Sequence, residues 1–285
     1  MARVLIAGCG YVGTALGLRL LELGHAVWAL RRDPAGLPSA FNKLSADLAN
    51  PADLGVIPAG LDHVVYTASA GESSDAAYER AYVTGLSNLM SAIAKSGVRR
   101  VFFTSSTAVY GQAEGAWVDE DSETAPVHFS GRRTLQAEAL LRAAATPSTV
   151  LRCAGIYGPG RTRLIDAVRQ GTASTSDRYT NRIHRDDIAG AILHLMAASE
   201  APATVLPGTL LLSDDEPAPQ RDVTAFIAAR LGVPVPSGSA PAEGPARGGD
   251  KRCNNARLHA TGYQLLYPTY REGYAAMLAG AGPQE

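Results

Sequence analysis

The stretch VLIAGCGYVG at residues 4–13 decides how this chain folds. A short apolar run leads into three glycines spaced G-x-G-x-x-G, and leucines then recur at helical spacing until Gly24. This order predicts a strand, a tight turn and a helix, because such a turn needs residues that accept positive φ and let a phosphate approach the backbone. The partial positive charge of the helix N-terminus favours a pyrophosphate there. The predicted cofactor-binding residues of this turn are Gly8, Gly10, Tyr11, Val12 and Gly13.

The size and charge of the chain exclude several functional classes. Its 285 residues suffice for one large α/β domain or for a domain with a smaller partner. The formal net charge of -1 gives no basic field for nucleic acid or an acidic membrane surface. The sequence shows no signal-peptide pattern and no apolar run of membrane-spanning length, so we expect a cytoplasmic protein without nucleic-acid or membrane partners. Its three cysteines lack metal-ligand spacing, so no metal site is predicted.

The end of the second predicted strand, at residues 25–30, indicates which dinucleotide binds. Arg31 and Arg32 follow this strand, where an acidic residue would hold the ribose hydroxyls of NAD and an arginine would accommodate the 2′-phosphate of NADP. The only nearby acid, Asp33, comes after both arginines. We therefore expect NADP, with NAD as the alternative; the structural alternative is that both arginines only solvate a loop.

Further cofactor contacts are expected where the next strands end. Asp47 and Leu48 close a short third strand, where an adenine could be held. The apolar run at residues 63–67 is typical of a strand buried on both faces, and it leads into Ala68 and Ser69, whose small side chains let a phosphate and ribose lie close to the backbone. One long helix is predicted over residues 75–96, followed by a strand over residues 98–104.

Five segments in order give the chain a resemblance to the extended short-chain dehydrogenases/reductases, the family of nucleotide-sugar epimerases and dehydratases. They are the glycine turn, TSSTAVYG at 104–111, DEDSETAP at 119–126, LRCAGIYGPG at 151–160 and IHRDDIA at 183–189. The resemblance implies a doubly wound parallel α/β sheet, the Rossmann fold, with a small C-terminal substrate lobe. It implies a dinucleotide-binding domain over residues 1–160, to which 180–200 return, and a lobe mainly over 161–285. It also implies a small-molecule substrate and admits a homodimer.

The chain departs from this family at the catalytic pair. Family members carry Y-G-x-S-K-x-x-x-E at the start of the helix after the acidic loop, whereas this chain has SGRRTLQAE at residues 130–138. Ser130 therefore stands at the tyrosine position and Thr134 at the lysine position. A shift of one residue places Phe129 and Arg133 there, which restores a cation but no phenol. A serine hydroxyl cannot replace a tyrosine whose pKa is lowered for proton transfer.

Three other residues are candidates for the missing chemistry. Ser106 matches the family's hydroxyl that hydrogen-bonds the substrate oxygen. His128 precedes the helix, and histidine is the side chain that changes protonation near neutral pH, so it is the best replacement acid or base; otherwise it is an exposed loop residue. Arg133 is a candidate electrostatic clamp, or part of a solvated first turn. His184 is a candidate wall of the active site.

These observations leave three functional hypotheses. The first is an enzyme of the epimerase, dehydratase and reductase group that acts on a sugar nucleotide or related small molecule with substituted acid/base residues. The second is a noncatalytic NADP(H)-binding redox sensor, which the missing Tyr and Lys favour. The third is a use of the fold without any cofactor. Near the C-terminus, the Pro- and Gly-rich residues 234–249 are predicted to form a loop.

Overall fold

A computed structural model of the chain describes residues 1–201, 205–237 and 249–280. Most of the loop predicted at 234–249, namely residues 238–248, lies outside the described residues. The described residues form two compact units. The first comprises residues 1–109, 126–152 and 188–210, and the second comprises residues 110–125, 153–187 and 211–285.

Thirteen strands are found in the described part of the chain. They are β1 (Arg3–Ala7), β2 (Ala26–Arg31), β3 (Asn42–Ser45), β4 (His63–Tyr66), β5 (Arg100–Ser106), β6 (Ala116–Val118), β7 (Ser148–Cys153), β8 (Gly155–Tyr157), β9 (Tyr179–Thr180), β10 (Arg182–His184), β11 (Thr209–Leu212), β12 (Ala218–Pro219) and β13 (Lys251–Cys253).

Seven of these strands form one parallel sheet in the order β11-β7-β5-β4-β1-β2-β3. The order reverses between β1 and β4, which pair in parallel with Val4 opposite His63. In open α/β sheets, ligands bind beyond the carboxyl ends of the strands at such a reversal. The predicted Rossmann fold is thereby confirmed, and its glycine turn follows β1 directly. The remaining strands form three two-stranded pairs: β8 with β10, β9 with β12, and β6 with β13.

The described helices connect and flank these strands. They are α1 (Tyr11–Glu22), α2 (Asp75–Tyr78), α3 (Gly85–Ile93), α4 (Phe129–Ala143), α5 (Arg163–Arg169), α6 (Arg185–Ser199), α7 (Gln220–Leu231), α8 (Ala256–Ala260) and α9 (Tyr270–Gly280), with 3₁₀ turns at Pro51–Val56 and Thr107–Val109.

The helix predicted over residues 75–96 contains a π-helical segment, Glu79–Thr84, between α2 and α3. The hydroxyl of the buried Tyr66 donates a hydrogen bond to the carbonyl of Ala81, which in a regular α-helix would accept from the amide of Gly85. That amide donates instead to the carbonyl of Arg80. Gly85 also leaves room for the Tyr66 hydroxyl, which would lie 2.7 Å from a Cβ at this position. A side chain from a neighbouring strand therefore widens the helix.

Each unit has its own apolar core. In the first unit, fully buried residues of the central strands, such as Leu5, Val64 and Phe103, pack against Leu86 and Leu89 of α3. In the second unit, helices α5, α7 and α9 contribute Ile165, Ile227 and Tyr270. Strand β8 adds Tyr157, whose hydroxyl occupies the space that a side chain at Gly273 of α9 would need. Each core buries apolar surface that stabilises its unit.

Candidate functional site

The glycine turn is supported by the two strands beside β1. The amides of Gly8 and Cys9 both donate to the carbonyl of Leu30 at the end of β2, at 2.8 and 3.0 Å. From the other side, the hydroxyl of Thr67 after β4 donates to the carbonyl of Gly8 at 3.0 Å. The turn is therefore fixed where the carboxyl ends of β1, β2 and β4 meet, which is the position that phosphate binding requires.

The three glycines of the turn have different reasons to lack a side chain. A Cβ at Gly8, which has φ of +77°, would lie 2.3 Å from the Cα of Ala68, and a Cβ at Gly13 would lie 2.7 Å from Ile6 Cγ2. The fold itself therefore requires both glycines. A Cβ at Gly10 would meet no heavy atom closer than the carbonyl oxygen of Gly8, at 3.8 Å. Gly10 thus leaves open space beside the first turn of α1, and this space fits a pyrophosphate. The amides that begin this helix are those of Tyr11, Val12 and Gly13.

Arg31 is the last residue of β2, and Arg32 follows it. Arg31 Nη1 is 3.5 Å from the carbonyl oxygen of Cys9, within the glycine turn. The Arg32 guanidinium lies 3.9 Å from the position of a Cβ at Gly71, in the segment that follows β4. Asp33, the residue that could hold ribose hydroxyls, accepts a hydrogen bond from the amide of Ala35 at 3.0 Å. Of these three side chains, Arg31 is therefore the one that contacts the turn.

The other predicted cofactor residues follow β3 and β4. Asp47 accepts hydrogen bonds from the amide of Ala49 at 2.9 Å and from Arg80 at 2.5 Å. Burial of this carboxyl alone would raise its pKa, but these hydrogen bonds and the positive charge of Arg80 hold the pKa below its usual range. Leu48 is partly buried beside α3, and Asn88 binds its carbonyl at 3.0 Å. Ala68 lies directly against Gly8, and the next residue, Ser69, is exposed.

His128 and Ser130 form a hydrogen-bonded pair at the start of α4. His128 Nδ1 lies 2.8 Å from the hydroxyl oxygen of Ser130 and accepts from the Ser130 amide at 3.3 Å. Because a backbone amide can only donate, Nδ1 is an acceptor, and the proton of the neutral imidazole lies on Nε2. His128 is only partly buried, whereas Ser130 is buried. The pair therefore joins a hydroxyl to an imidazole acceptor at the start of α4.

The side chains of Thr134 and Arg133, in the next turn of α4, are engaged in contacts within the first unit. The hydroxyl of Thr134 is buried and donates to the carbonyl of Ser130 at 2.8 Å. Arg133 forms a bidentate ion pair with Asp75 at the start of α2, in which Nε and Nη2 each donate to one carboxylate oxygen at 2.8 Å. Phe129, the other residue of the shifted alignment, packs edge-on against Tyr78. Arg133 is thus engaged in joining α4 to α2.

The start of α4 lies directly on the backbone that follows Ser106. A Cβ at Gly131 would come within 2.1 Å of the carbonyl oxygen of Ala108, so only glycine permits this approach. The hydroxyl of Ser106 accepts from the amide of Ala108 at 3.1 Å. This contact brings the segment of Ser106 next to the helix turn that carries the His128–Ser130 pair.

A buried carboxylate on α4 is the main feature of this region that sequence reasoning missed. Glu138 is fully buried and accepts from the Ser105 hydroxyl at 2.5 Å and from Arg152 of β7 at 2.8 and 3.1 Å. Arg142 adds a further contact at 3.2 Å. A buried charge that is paired and hydrogen-bonded in this way holds its helix in position. The residue that could have indicated this carboxylate from the sequence was Arg152, because it is the one charged residue of its strand.

In the second unit, His184 is a buried core residue. Its ring lies 3.9 Å, between ring centroids, from Tyr267 and meets Tyr157 edge-on. Burial lowers the pKa of His184 to about 4, and its Nδ1 accepts from the amide of Asp186. The active-site role considered for His184 stays a prediction.

The two aspartates that begin α6 have different surroundings. Asp186 pairs with Arg185 at 2.9 Å. Asp187 is fully buried and accepts from the Tyr263 hydroxyl and from the amides of Leu266 and Tyr267. Besides any interaction with the helix dipole, Asp187 therefore holds residues 263–267 in place.

The described residues show no metal-ligand cluster, no membrane-spanning helix and no reactive thiol. Among them, no group of three or more His, Cys, Asp and Glu side chains could hold a metal ion. Of the helices described, none is long and apolar enough to cross a membrane. Burial raises the pKa of the Cys9 thiol to about 11 and those of Cys153 and Cys253 to about 12, so these thiols stay protonated.

The chain is similar to a known protein family and to individual proteins of known sequence or structure. The model of the NAD dependent epimerase/dehydratase family matches residues 4–205. A solved structure from Methylobacillus flagellatus, itself assigned provisionally as an NAD-dependent epimerase/dehydratase, is 40% identical, with a TM-score of 0.85 over 99% of both chains. The 2-alkyl-3-oxoalkanoate reductase of Stenotrophomonas maltophilia is 29% identical over 253 residues, which are 82% of this chain and 77% of that protein.

More distant structures share the fold. MoeE5 in complex with UDP-glucuronic acid and NAD is 23% identical, with a TM-score of 0.81 over 98% of both chains. At this identity the likeness shows a common fold alone.

Proposed function

The chain belongs to the NAD-dependent epimerase/dehydratase family, and we propose that it is an active enzyme of this group in which His128 and Ser130 take over proton transfer. The observation that carries the proposal is the 2.8 Å contact between His128 Nδ1 and the Ser130 hydroxyl, at the position of the family's tyrosine. The chain therefore lacks the tyrosine that family members use as the acid, and a hydroxyl paired with an imidazole stands at that position.

In this mechanism His128 acts as a general acid. Protonated His128 would give its Nδ1 proton to the Ser130 oxygen while the Ser130 hydroxyl gives its own proton to a carbonyl oxygen as that carbon is reduced, which leaves neutral His128 with its proton on Nε2. Ser106 would orient the oxygen by a hydrogen bond, and the bound dinucleotide supplies or accepts the hydride. In the reverse direction, the Ser130 oxygen would take up the hydroxyl proton of the substrate as its own proton passes to Nδ1 of neutral His128. Arg133 acts indirectly, since its pairing with Asp75 steadies the start of α4.

The substrate class proposed is a sugar nucleotide or a related small molecule with a carbonyl or carbinol carbon. Two comparisons support it, because the chain matches the NAD dependent epimerase/dehydratase family and the Stenotrophomonas relative is a reductase of an oxoalkanoate. The division of labour proposed for the chain is a dinucleotide-binding part over residues 1–160 with 180–200, and a substrate lobe mainly over 161–285.

One observation favours a second function, that of a noncatalytic NADP(H)-binding redox sensor. The residue at the family's lysine position is Thr134, whose hydroxyl is engaged with the carbonyl of Ser130. Without a cation here, the chain lacks the second group of the catalytic pair that the family resemblance implies. A sensor would retain cofactor binding at the glycine turn and lack turnover.

Hydride exchange separates these two functions. We expect the protein, incubated with NADPH labelled at nicotinamide C4 and a panel of nucleotide-sugar and 3-oxoacid substrates, to transfer the label to at least one substrate. The His128→Asn variant should bind NADPH normally and transfer the label at least a hundredfold more slowly. Cofactor binding without any label transfer across the panel would favour the sensor.

The cofactor is proposed to be NADP, because Arg31 lies beside the glycine turn and Arg32 beside the segment after β4, while Asp33 is engaged with Ala35. We expect NADPH to bind at least tenfold more tightly than NADH, since a hydrogen bond to a charged group contributes about 1.5–3 kcal/mol. Replacing both arginines by alanine should remove this preference and leave NADH affinity nearly unchanged.

The matched control for this prediction is Lys95→Ala, which removes an exposed positive charge beyond the end of α3. It should leave both affinities unchanged, as measured by titration calorimetry. Equal affinities for NADPH and NADH in the unmodified protein would show that the arginines only solvate the loop.

A further inference from the structure

The π-helical segment Glu79–Thr84 determines which side of α2 faces α4. A π-helical turn contains one residue more than an α-helical turn, and each residue of an α-helix rotates the chain by about 100°. If this segment were regular α-helix, α2 would be rotated by about that angle relative to α3. Asp75 and Tyr78, which share one side of α2, would then leave the side that contacts α4.

The hydroxyl of Tyr66 maintains this segment. Tyr66 is the last residue of β4 and is fully buried. Burial raises the pKa of its phenol, so the hydroxyl keeps its proton and donates it to the carbonyl of Ala81. The amide of Gly85, the α-helical partner of that carbonyl, donates to Arg80 instead. Without the hydroxyl, the donor within the helix that can satisfy the Ala81 carbonyl is the Gly85 amide, in the α-helical register.

Two contacts join α2 to the start of α4 within the first unit. The carboxylate of Asp75 accepts from Nε and Nη2 of Arg133, each at 2.8 Å. The ring of Tyr78 meets that of Phe129 edge-on, with 5.4 Å between the ring centroids. Phe129 begins α4, and His128 is the N-cap of this helix. The register of α2 therefore decides which side chains support the start of α4.

Phe129 connects this support to the imidazole. The ring centroids of His128 and Phe129 are 4.0 Å apart. On the other side of Phe129, the ring of Tyr78 stacks on that of Tyr82, which belongs to the π-helical segment, with 5.4 Å between centroids. A continuous row of aromatic rings thus runs from the π-helical segment to the imidazole whose Nδ1 lies 2.8 Å from the Ser130 hydroxyl.

We propose that Tyr66 is a positioning residue for the His128–Ser130 pair. Its hydroxyl holds the π-helical segment in place, the segment directs Tyr78 toward Phe129, and Phe129 supports the ring of His128. Tyr66 acts through these side chains and transfers no proton itself. The effect of Tyr66 on turnover rests on the proposed function, whereas its effect on the position of the His128 ring does not, so each has its own measurement.

Tyr66→Phe tests the placement of the ring, because it retains the buried aromatic ring and removes only the hydroxyl. We expect it to abolish the nuclear Overhauser effect between the rings of Tyr78 and Phe129, since a rotation of about 100° separates them. The ring signals of His128, assigned with His128→Asn, should shift. The control, Tyr270→Phe, removes the hydroxyl of an equally buried tyrosine in the second unit and should change neither property. Retention of either property in folded Tyr66→Phe would overturn the proposal.

Label transfer from NADPH measures the consequence for the reaction. Misplacing a catalytic group by about 1 Å can lower a rate about a hundredfold, so we expect Tyr66→Phe to lower the rate at saturating NADPH and substrate by at least about tenfold. Tyr270→Phe should transfer the label as the unmodified protein does. An undiminished rate in Tyr66→Phe would overturn the proposal. If the unmodified protein transfers no label, the proposed function fails, and the ring signals still decide the role of Tyr66.

Tyr78→Leu tests the same row of rings if Tyr66→Phe does not fold. Tyr78 is only partly buried at the end of α2, so leucine should be tolerated there. The variant removes the ring that meets Phe129, and it should shift the His128 signals and lower the rate of label transfer. Folded Tyr78→Leu with the His128 signals of the unmodified protein would overturn the proposal.

Discussion

Gly10→Val should abolish cofactor binding while the protein stays folded. A Cβ at this position would meet no heavy atom closer than 3.8 Å. The valine side chain would occupy the space beside the first-turn amides of α1, where the pyrophosphate must approach. Losing two charge-assisted hydrogen bonds of about 1.5–3 kcal/mol each predicts a fall in NADPH affinity of at least a hundredfold. Titration calorimetry and thermal unfolding measure the two effects separately.

Two other glycines serve as controls for this experiment. Gly13→Ala places a Cβ 2.7 Å from Ile6 and 2.8 Å from the Thr67 hydroxyl, so it should lower the melting temperature. Gly208→Val lies at the amino-terminal end of β11, where the space is open, and should change neither property. If folded Gly10→Val binds NADPH with unchanged affinity, the stretch is an ordinary turn between a strand and a helix.

His128→Ala should lower turnover by about a hundredfold or more, the range usual for general acid/base catalysis. Among the residue types at the start of α4, histidine is the one suited to proton transfer, because serine and threonine hydroxyls do not ionise at neutral pH and arginine stays charged. Turnover of the unmodified protein should still be slow, because the usual tyrosine and lysine are missing. Steady-state rates of the two proteins measure both effects.

His128 also caps α4, so the alanine variant loses about 0.5–2 kcal/mol of stability as well as the acid. His128→Asn separates the two roles, since asparagine is a good helix cap but cannot transfer a proton at neutral pH. It should retain the melting temperature and lose turnover as the alanine variant does. If His128→Asn keeps full turnover, His128 is only a cap, and the proton must come from another group.

The contacts around these residues show which parts of the candidate site could be predicted from the sequence. The strand, turn and helix at residues 3–22 follow from a pattern of neighbouring residues, and β1 and α1 begin and end within one or two residues of the prediction. The His128–Ser130 pair spans only two residues, yet the sequence indicated His128 alone. The geometry of the helix start determines that their side chains meet.

What the sequence determined by itself was the strand, glycine turn and helix at residues 3–22, because these depend on local periodicity and on the conformational freedom of glycine, while the doubly wound fold was implied by the resemblance of five segments to a known family. The tertiary structure alone decided the contacts between distant segments: Tyr66 widening the helix after Asp75, Arg133 pairing with Asp75, Glu138 joining Ser105 to Arg152, and His63 meeting Glu200. These pairs are 14 to 137 residues apart. Their meeting depends on which strands become neighbours in the sheet, and local sequence patterns carry no information about the partner across that distance.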